Sequence, residues 1–156
     1  MLERQRIILY VSSMSMMWTK KGAYTSFDFE LEADLEAAIL EVQSDLFGKD
    51  RIYLNIKKKI GEKGGQRNIP DGYLIDLSGA RPKLYTVENE LQKHEPLRHI
   101  AVQILQFSLS FESSHRRVKK NLMDALQQRA GAKQQCEQYA ARHNLRNLDH
   151  LVKERY

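Results

Sequence analysis

The stretch IPDGYLIDLSGARPKLYTVENELQKH, residues 69–94, decides how the chain folds. GYLIDL and KLYTVENEL are short runs rich in β-branched, aromatic and aliphatic residues, and each is expected to form a strand. LSGARP between them carries Ser, Gly and Pro and makes a short turn. A turn that short joins antiparallel strands, so the segment is expected to be a hairpin. Three carboxylates stand in it. Side chains alternate along a strand, so Glu88 and Glu90 are expected to share a face. Asp71 opens the partner strand at the open end of the hairpin, within reach of Glu88 in the simplest register.

Taken singly, these acids have ordinary explanations. Aspartate is a common turn residue, and two glutamates two positions apart can decorate a solvated strand face. Taken together they pose a physical problem, because converging carboxylates repel one another and lose hydration. A divalent cation removes that penalty, and Mg²⁺ favours oxygen ligands completed by water. An ion held there polarises a phosphoryl oxygen and activates water, which is the chemistry of phosphodiester hydrolysis.

Before the hairpin, Leu31, Leu35, Ala38, Ile39, Val42 and Leu46 recur at helical spacing and predict a helix over 29–46. Ser26 and Asp28 are candidate caps, and Gly48 is a candidate stop. RIYLNIKKKI follows, with Ile52, Leu54, Ile56 and Ile60 in one parity, as in a half-buried strand. GEKGGQRN is a loop. After the hairpin, Pro96 sits where a first helical residue tolerates it. Leu97, Ile100, Ala101, Ile104 and Leu105 form the expected buried stripe of that helix. From 112 onward RRVKKNLMDALQQ, AKQQCEQYAARH and LRNLDHLVKERY read as basic helices. The expected architecture is α/β: residues 1–27 are an extension, either one strand or loosely packed. Residues 28–111 form a core of helix, three mainly antiparallel strands and helix, and residues 112–156 form a basic helical C-terminal segment.

The order and the letters resemble the PD-(D/E)XK nuclease superfamily. Pro70-Asp71 and then Glu88-Asn89-Glu90 follow an acidic helix and a strand, and a helix comes next. The likeness covers roughly residues 28 to 111 and implies a restriction-endonuclease-like core. It implies that Asp71 and Glu88 are metal ligands and, with Glu90, catalytic residues. Glu36, or alternatively Glu32, from the first helix would complete the metal set, with Mg²⁺ or Mn²⁺ as the ion. Gln103 would face the site. Glu90 stands where the family usually has lysine, so Lys93, His94 or Lys57 is left to supply the missing positive charge. Relatives of this kind usually add a further strand. Here either RIILYV near the N-terminus fills that place, or the core is truncated and the chain is a piece of a longer protein. A bare strand edge would favour a homodimer or a further domain.

Charge and composition frame the function. Net charge is +5, but residues 28–47 hold seven acids and no base, 48–67 hold seven bases and two acids, and 113–156 hold ten bases and four acids. Basic segments around an acidic centre suit DNA as a polyanion, with Lys58, Lys59, Arg116, Arg117, Lys119 and Lys120 as phosphate contacts. The bland alternative is that these residues solvate exposed helices and loops. The single cysteine, Cys136, excludes an internal disulfide and a cysteine-based zinc site. No P-loop, no GxSxG elbow and no stacking aromatic pair of the RNA-binding type is present. No apolar run approaches the ~20 residues of a membrane span, and the expected location is cytoplasmic. The functional expectation is a divalent-metal-dependent nuclease acting on DNA. The alternative is an inactive nuclease-like module that binds nucleic acid or a protein partner.

Overall fold

The computed structural model describes residues 16–19, 22–25, 27–58, 69–91 and 96–146. The chain divides into two compact units, 1–30 and 31–156. In the first, β1 (Met16–Thr19) and β2 (Gly22–Thr25) form an antiparallel hairpin in which Trp18 faces Ala23. The described residues of this unit thus hold two short strands. The RIILYV, GEKGGQRN and last-helix segments (6–11, 61–68 and 147–156) lie outside the described residues.

In the second unit the order is α1 (Glu32–Phe47), β3 (Arg51–Asn55), β4 (Gly72–Asp76), β5 (Lys83–Val87), α2 (Pro96–Gln128) and α3 (Ala130–Arg142). The strands form an antiparallel sheet in the order β3-β4-β5. Gly48 ends α1 as expected. It adopts a φ of 91°, a conformation that favours glycine, and its amide bonds the Ser44 carbonyl. The helix begins later than its candidate caps: Leu31 takes the N-cap position, and Glu32 and Asp34 complement the first turn electrostatically.

Strand alternation sends two sets of side chains to opposite faces of the sheet. Ile52, Leu54 and Ile56 join Tyr73, Ile75 and Leu77 in one buried cluster with Val118, Leu122 and Leu126 of α2 and Cys136, Tyr139 and Ala140 of α3. The other face meets α1, where Tyr53 lies against Phe47 with ring centroids 5.4 Å apart. The unit therefore has three layers, with α1 on one face and α2 with α3 on the other.

This arrangement corrects the expectation for the C-terminal helices. α2 runs unbroken through the expected boundary at 111/112, and its last third supplies the core. Of the expected stripe, Ala101, Ile104 and Leu105 are exposed. Geometry gives the reason. A 33-residue helix is about 50 Å long, whereas a five-residue strand spans about 17 Å. Only part of α2 can lie over the sheet, and the part that does carries Val118, Leu122 and Leu126 at four-residue spacing. Arg116, Arg117 and Lys120 occupy its exposed positions. The α1 stripe is likewise only half covered, with Leu35, Ala38 and Ile39 half-buried and Leu31, Val42 and Leu46 exposed.

Asp76, the last residue of β4, is buried. It accepts hydrogen bonds from the Ser78 amide and hydroxyl, and Arg51 Nε lies 3.1 Å from its other oxygen. Those contacts hold its carboxyl below the usual range even though burial acts the other way. It closes the turn end of the sheet, away from the other acids.

The core assignment has a direct consequence. Leu122→Ala should destabilise the protein by about 2–5 kcal/mol in a chemical-denaturation experiment. Gln127→Ala, five residues on and exposed, should change it by less than about 0.5 kcal/mol. Equal and small effects would mean that the C-terminal part of α2 is not core.

Candidate metal and phosphate site

The register of the hairpin builds the site. Gly72 pairs with Val87 at the last position of the β4–β5 ladder, so Asp71 and Glu88 leave the sheet side by side. β5 ends at Val87, so Glu88, Asn89 and Glu90 lie just beyond the strand. The expectation that strand alternation aims both glutamates is thus replaced by a local hydrogen bond. The Asn89 amide donates to Asp71 Oδ2 at 2.8 Å, and the Asn89 side chain donates from Nδ2 to the Tyr53 hydroxyl at 3.3 Å. Asn89 is buried, and Glu88 and Glu90 are half-buried.

The electrostatics follow from crowding. Burial, then the charge of Asp71, then a hydrogen bond to the Asp71 carboxyl and the charge of Glu90 push Glu88 up to about 8. Its Oε1 is buried without a hydrogen-bond partner. Tyr53 is pushed up by burial, and the charges of Asp71 and Glu36 act in the same direction. Its hydroxyl therefore lies within the field of the same acids.

Of the two first-helix candidates, α1 brings Glu36 to this cluster. Lys57, just past β3, places Nζ 2.5 Å from Glu36 Oε1 and 3.8 Å from Asp71 Oδ1. The hydrogen bond to Glu36 chiefly raises the Lys57 pKa, so the ammonium stays charged. Glu32 lies one turn earlier in an exposed position. Gln103, on α2, is half-buried with Oε1 buried and without a hydrogen-bond partner. Lys93, His94 and Lys59 lie outside the described residues.

The basic surface is organised around one acid. Lys58 Nζ lies 3.7 Å and Lys120 Nζ 3.2 Å from the same oxygen of Asp124. Arg116 and Arg117 are exposed one turn before, and Lys119 is half-buried. Lys57 thus pairs with α1 and its neighbour Lys58 with α2, the helices on opposite faces of the sheet.

Two side chains that matter were given no role by sequence, those of Tyr53 and Asn89. A tyrosine in a strand is an ordinary β-former, and its partner lies 36 residues away. The available signal was Gly72, since glycine at a strand entry often marks a close approach. A Cβ there would fall 2.6 Å from Tyr53 Cε2 and 2.8 Å from the Leu54 carbonyl oxygen.

The donor set suits a hard cation in kind. It is made of carboxylate oxygens, one of them orphaned and burdened by like charge. In the arrangement described the balancing charge is the Lys57 ammonium. Among the described residues no group of three or more His, Cys, Asp or Glu side chains stands ready-made as a cage. Cys136 is no alternative ligand, because burial pushes its thiol up to about 12 and it sits in the core. No described helix is long and apolar enough to cross a membrane. No protein-family model, no curated protein and no solved structure matches the chain.

The crowding predicts a pH dependence. A carboxyl whose folded pKa lies above its unfolded value contributes stability that is fully present below about 4.5 and is lost as pH rises toward about 8. Without divalent cations, Glu88→Gln should therefore be more stable than the wild type at pH 8. The gap should be about 1–2 kcal/mol after discounting for partial exposure, and it should close near pH 4. Denaturant titrations of both proteins at the two pH values measure it. A constant difference would show that Glu88 is not crowded.

Proposed function

We propose that the chain is a divalent-metal-dependent nuclease that hydrolyses DNA phosphodiester bonds on a restriction-endonuclease-like core. The observation that carries this reading is the enforced meeting of Asp71 and Glu88 beside Glu36 and Lys57. Four groups from three separate segments converge at the open end of a hairpin. A purely structural ion pair would not also need the half-buried, repelled Glu88.

Asp71 and Glu88 would hold Mg²⁺ or Mn²⁺, with Glu36 as the third ligand. Such an ion, when bound, polarises the scissile phosphoryl group and acidifies water. The chain's own residues do the rest. Lys57 sits within 4 Å of two of these acids and provides the positive charge that Glu90 cannot. On this reading it turns from Glu36 toward the phosphate and stabilises the charge that develops as water adds and the P–O bond breaks. Glu90, whose charge acts on Glu88, would accept the proton that the attacking water gives up. Lys58, Lys120, Arg116 and Arg117 would hold the DNA backbone, contacts that fix position without reading sequence.

A second reading keeps the DNA contacts without cutting. It is favoured by the Lys57 contacts, since an ammonium already neutralises Glu36 and Asp71, and by Glu90 in the lysine position. One experiment separates the two. Incubation of supercoiled, linear and single-stranded DNA with Mg²⁺ or Mn²⁺ should give cutting that chelator abolishes. Asp71→Ala and Glu88→Ala should reduce it to background, and Lys57→Ala should lower kcat by about 10²–10³-fold. Salt-sensitive DNA binding with no cutting in any form would support the inactive module instead. Equal cutting by the wild type and Asp71→Ala would exclude this site as the source.

A further inference from the structure

Tyr53 is a large side chain at 1 % exposure that does not belong to the core cluster formed by its strand neighbours Ile52 and Leu54. Its side chain points to the opposite face, and four contacts fix the residue. Its ring packs on Phe47 and covers Gly72, the residue next to Asp71. Its backbone carbonyl accepts a hydrogen bond from Arg129 Nη1 at 2.8 Å, which ties it to the junction of α2 and α3. Its hydroxyl accepts from Asn89 Nδ2, while the Asn89 amide donates to Asp71 Oδ2.

Asn89 is therefore a clamp with two ends. One end is the buried tyrosine and the other is the central carboxylate of the cluster. The clamp matters because residues 88–90 lie beyond β5 and have no ladder to hold them. Without it, the 88–90 segment would be free to turn outward and carry Glu88 away from Asp71. With it, the two carboxyls stay side by side.

We infer that Tyr53 is a positioning residue for the metal site: acting through Asn89, its buried hydroxyl holds Glu88 beside Asp71, the pair that would hold the divalent cation. This rests on the proposed metal-dependent reading and extends it to two residues that would not themselves touch the metal. Gly72 belongs to the same device, because any side chain there would displace the tyrosine ring or the β3 backbone.

Tyr53→Phe tests the inference, since it keeps the ring packing and removes only the hydroxyl. The probe is Mn²⁺ alone, titrated calorimetrically into the full chain near neutral pH. Tyr53→Phe should weaken Mn²⁺ binding by about 10-fold, the usual range for loss of an outer-sphere partner being 10–100-fold. Plasmid cutting at saturating Mn²⁺ should show a lowered kcat with KM for DNA unchanged, a split that general loosening of the fold would not give. Asn89→Leu removes the side-chain amide at similar volume, keeps the backbone N–H and should give the same loss, with the double variant no worse than either single one. It carries the test by the same readouts should Tyr53→Phe not fold. Wild-type affinity for Mn²⁺ in a folded Tyr53→Phe or Asn89→Leu would overturn the role of the clamp and leave the metal site standing. Absence of Mn²⁺ binding by the wild type would overturn both the metal site and the clamp.

Discussion

Two carboxylates that repel are forced together by a hydrogen-bond ladder, and the rest of the site answers that constraint. The pairing of Gly72 with Val87 is an ordinary consequence of the β4–β5 hairpin, but it leaves Asp71 and Glu88 as neighbours where the ladder stops. Neither can move away cheaply. Asp71 is held by the Asn89 amide, and Glu88 is half-buried. The unfavourable energy appears as a raised proton affinity at Glu88, near 8 rather than in the usual carboxylate range. Strongly shifted carboxyls of this origin are a recurring property of functional sites.

The two faces of the sheet divide the labour. One face, closed by α2 and α3, is apolar and supplies stability. The other carries Tyr53, Lys57 and Glu36 toward the acids, and α1 lies over it. A site built on strand ends and a helix, rather than on a long loop, keeps its groups in fixed relation. On the proposed reading, Lys57 stands in for the cation while the site waits. It satisfies Glu36 and Asp71 but not Glu88, whose Oε1 remains without a partner.

Much of this was legible in the sequence because periodicity reports local geometry. The hairpin over 72–87 and the helix ending at Gly48 follow from residue pattern and turn chemistry. The approach of Asp71 to Glu88 follows from simple register. The core was harder. Leu97, Ile100, Ala101, Ile104 and Leu105 make the more obvious stripe. Val118, Leu122 and Leu126 are diluted by Arg116, Arg117, Lys119 and Lys120, so composition disguised the buried third of α2 as a basic appendage. Which part of a long helix meets a short sheet is a question of tertiary geometry that no window of sequence contains. The clamp was also invisible, since no local pattern links Tyr53 to Asn89, 36 residues further on. The choice of Glu36 over Glu32 likewise depends on how α1 is rotated against β3, which shows only when Lys57 is placed.

The most direct measurement is the titration of the Glu88 carboxyl itself, followed by ¹³C NMR on protein labelled at glutamate, with Glu88→Gln used to assign the signal. Without divalent cations the signal should titrate near 8. In saturating Mg²⁺ it should fall into or below the ordinary carboxylate range, because the cation replaces the proton. A Glu88 that titrates near 4.5 and ignores Mg²⁺ would contradict the account at its root.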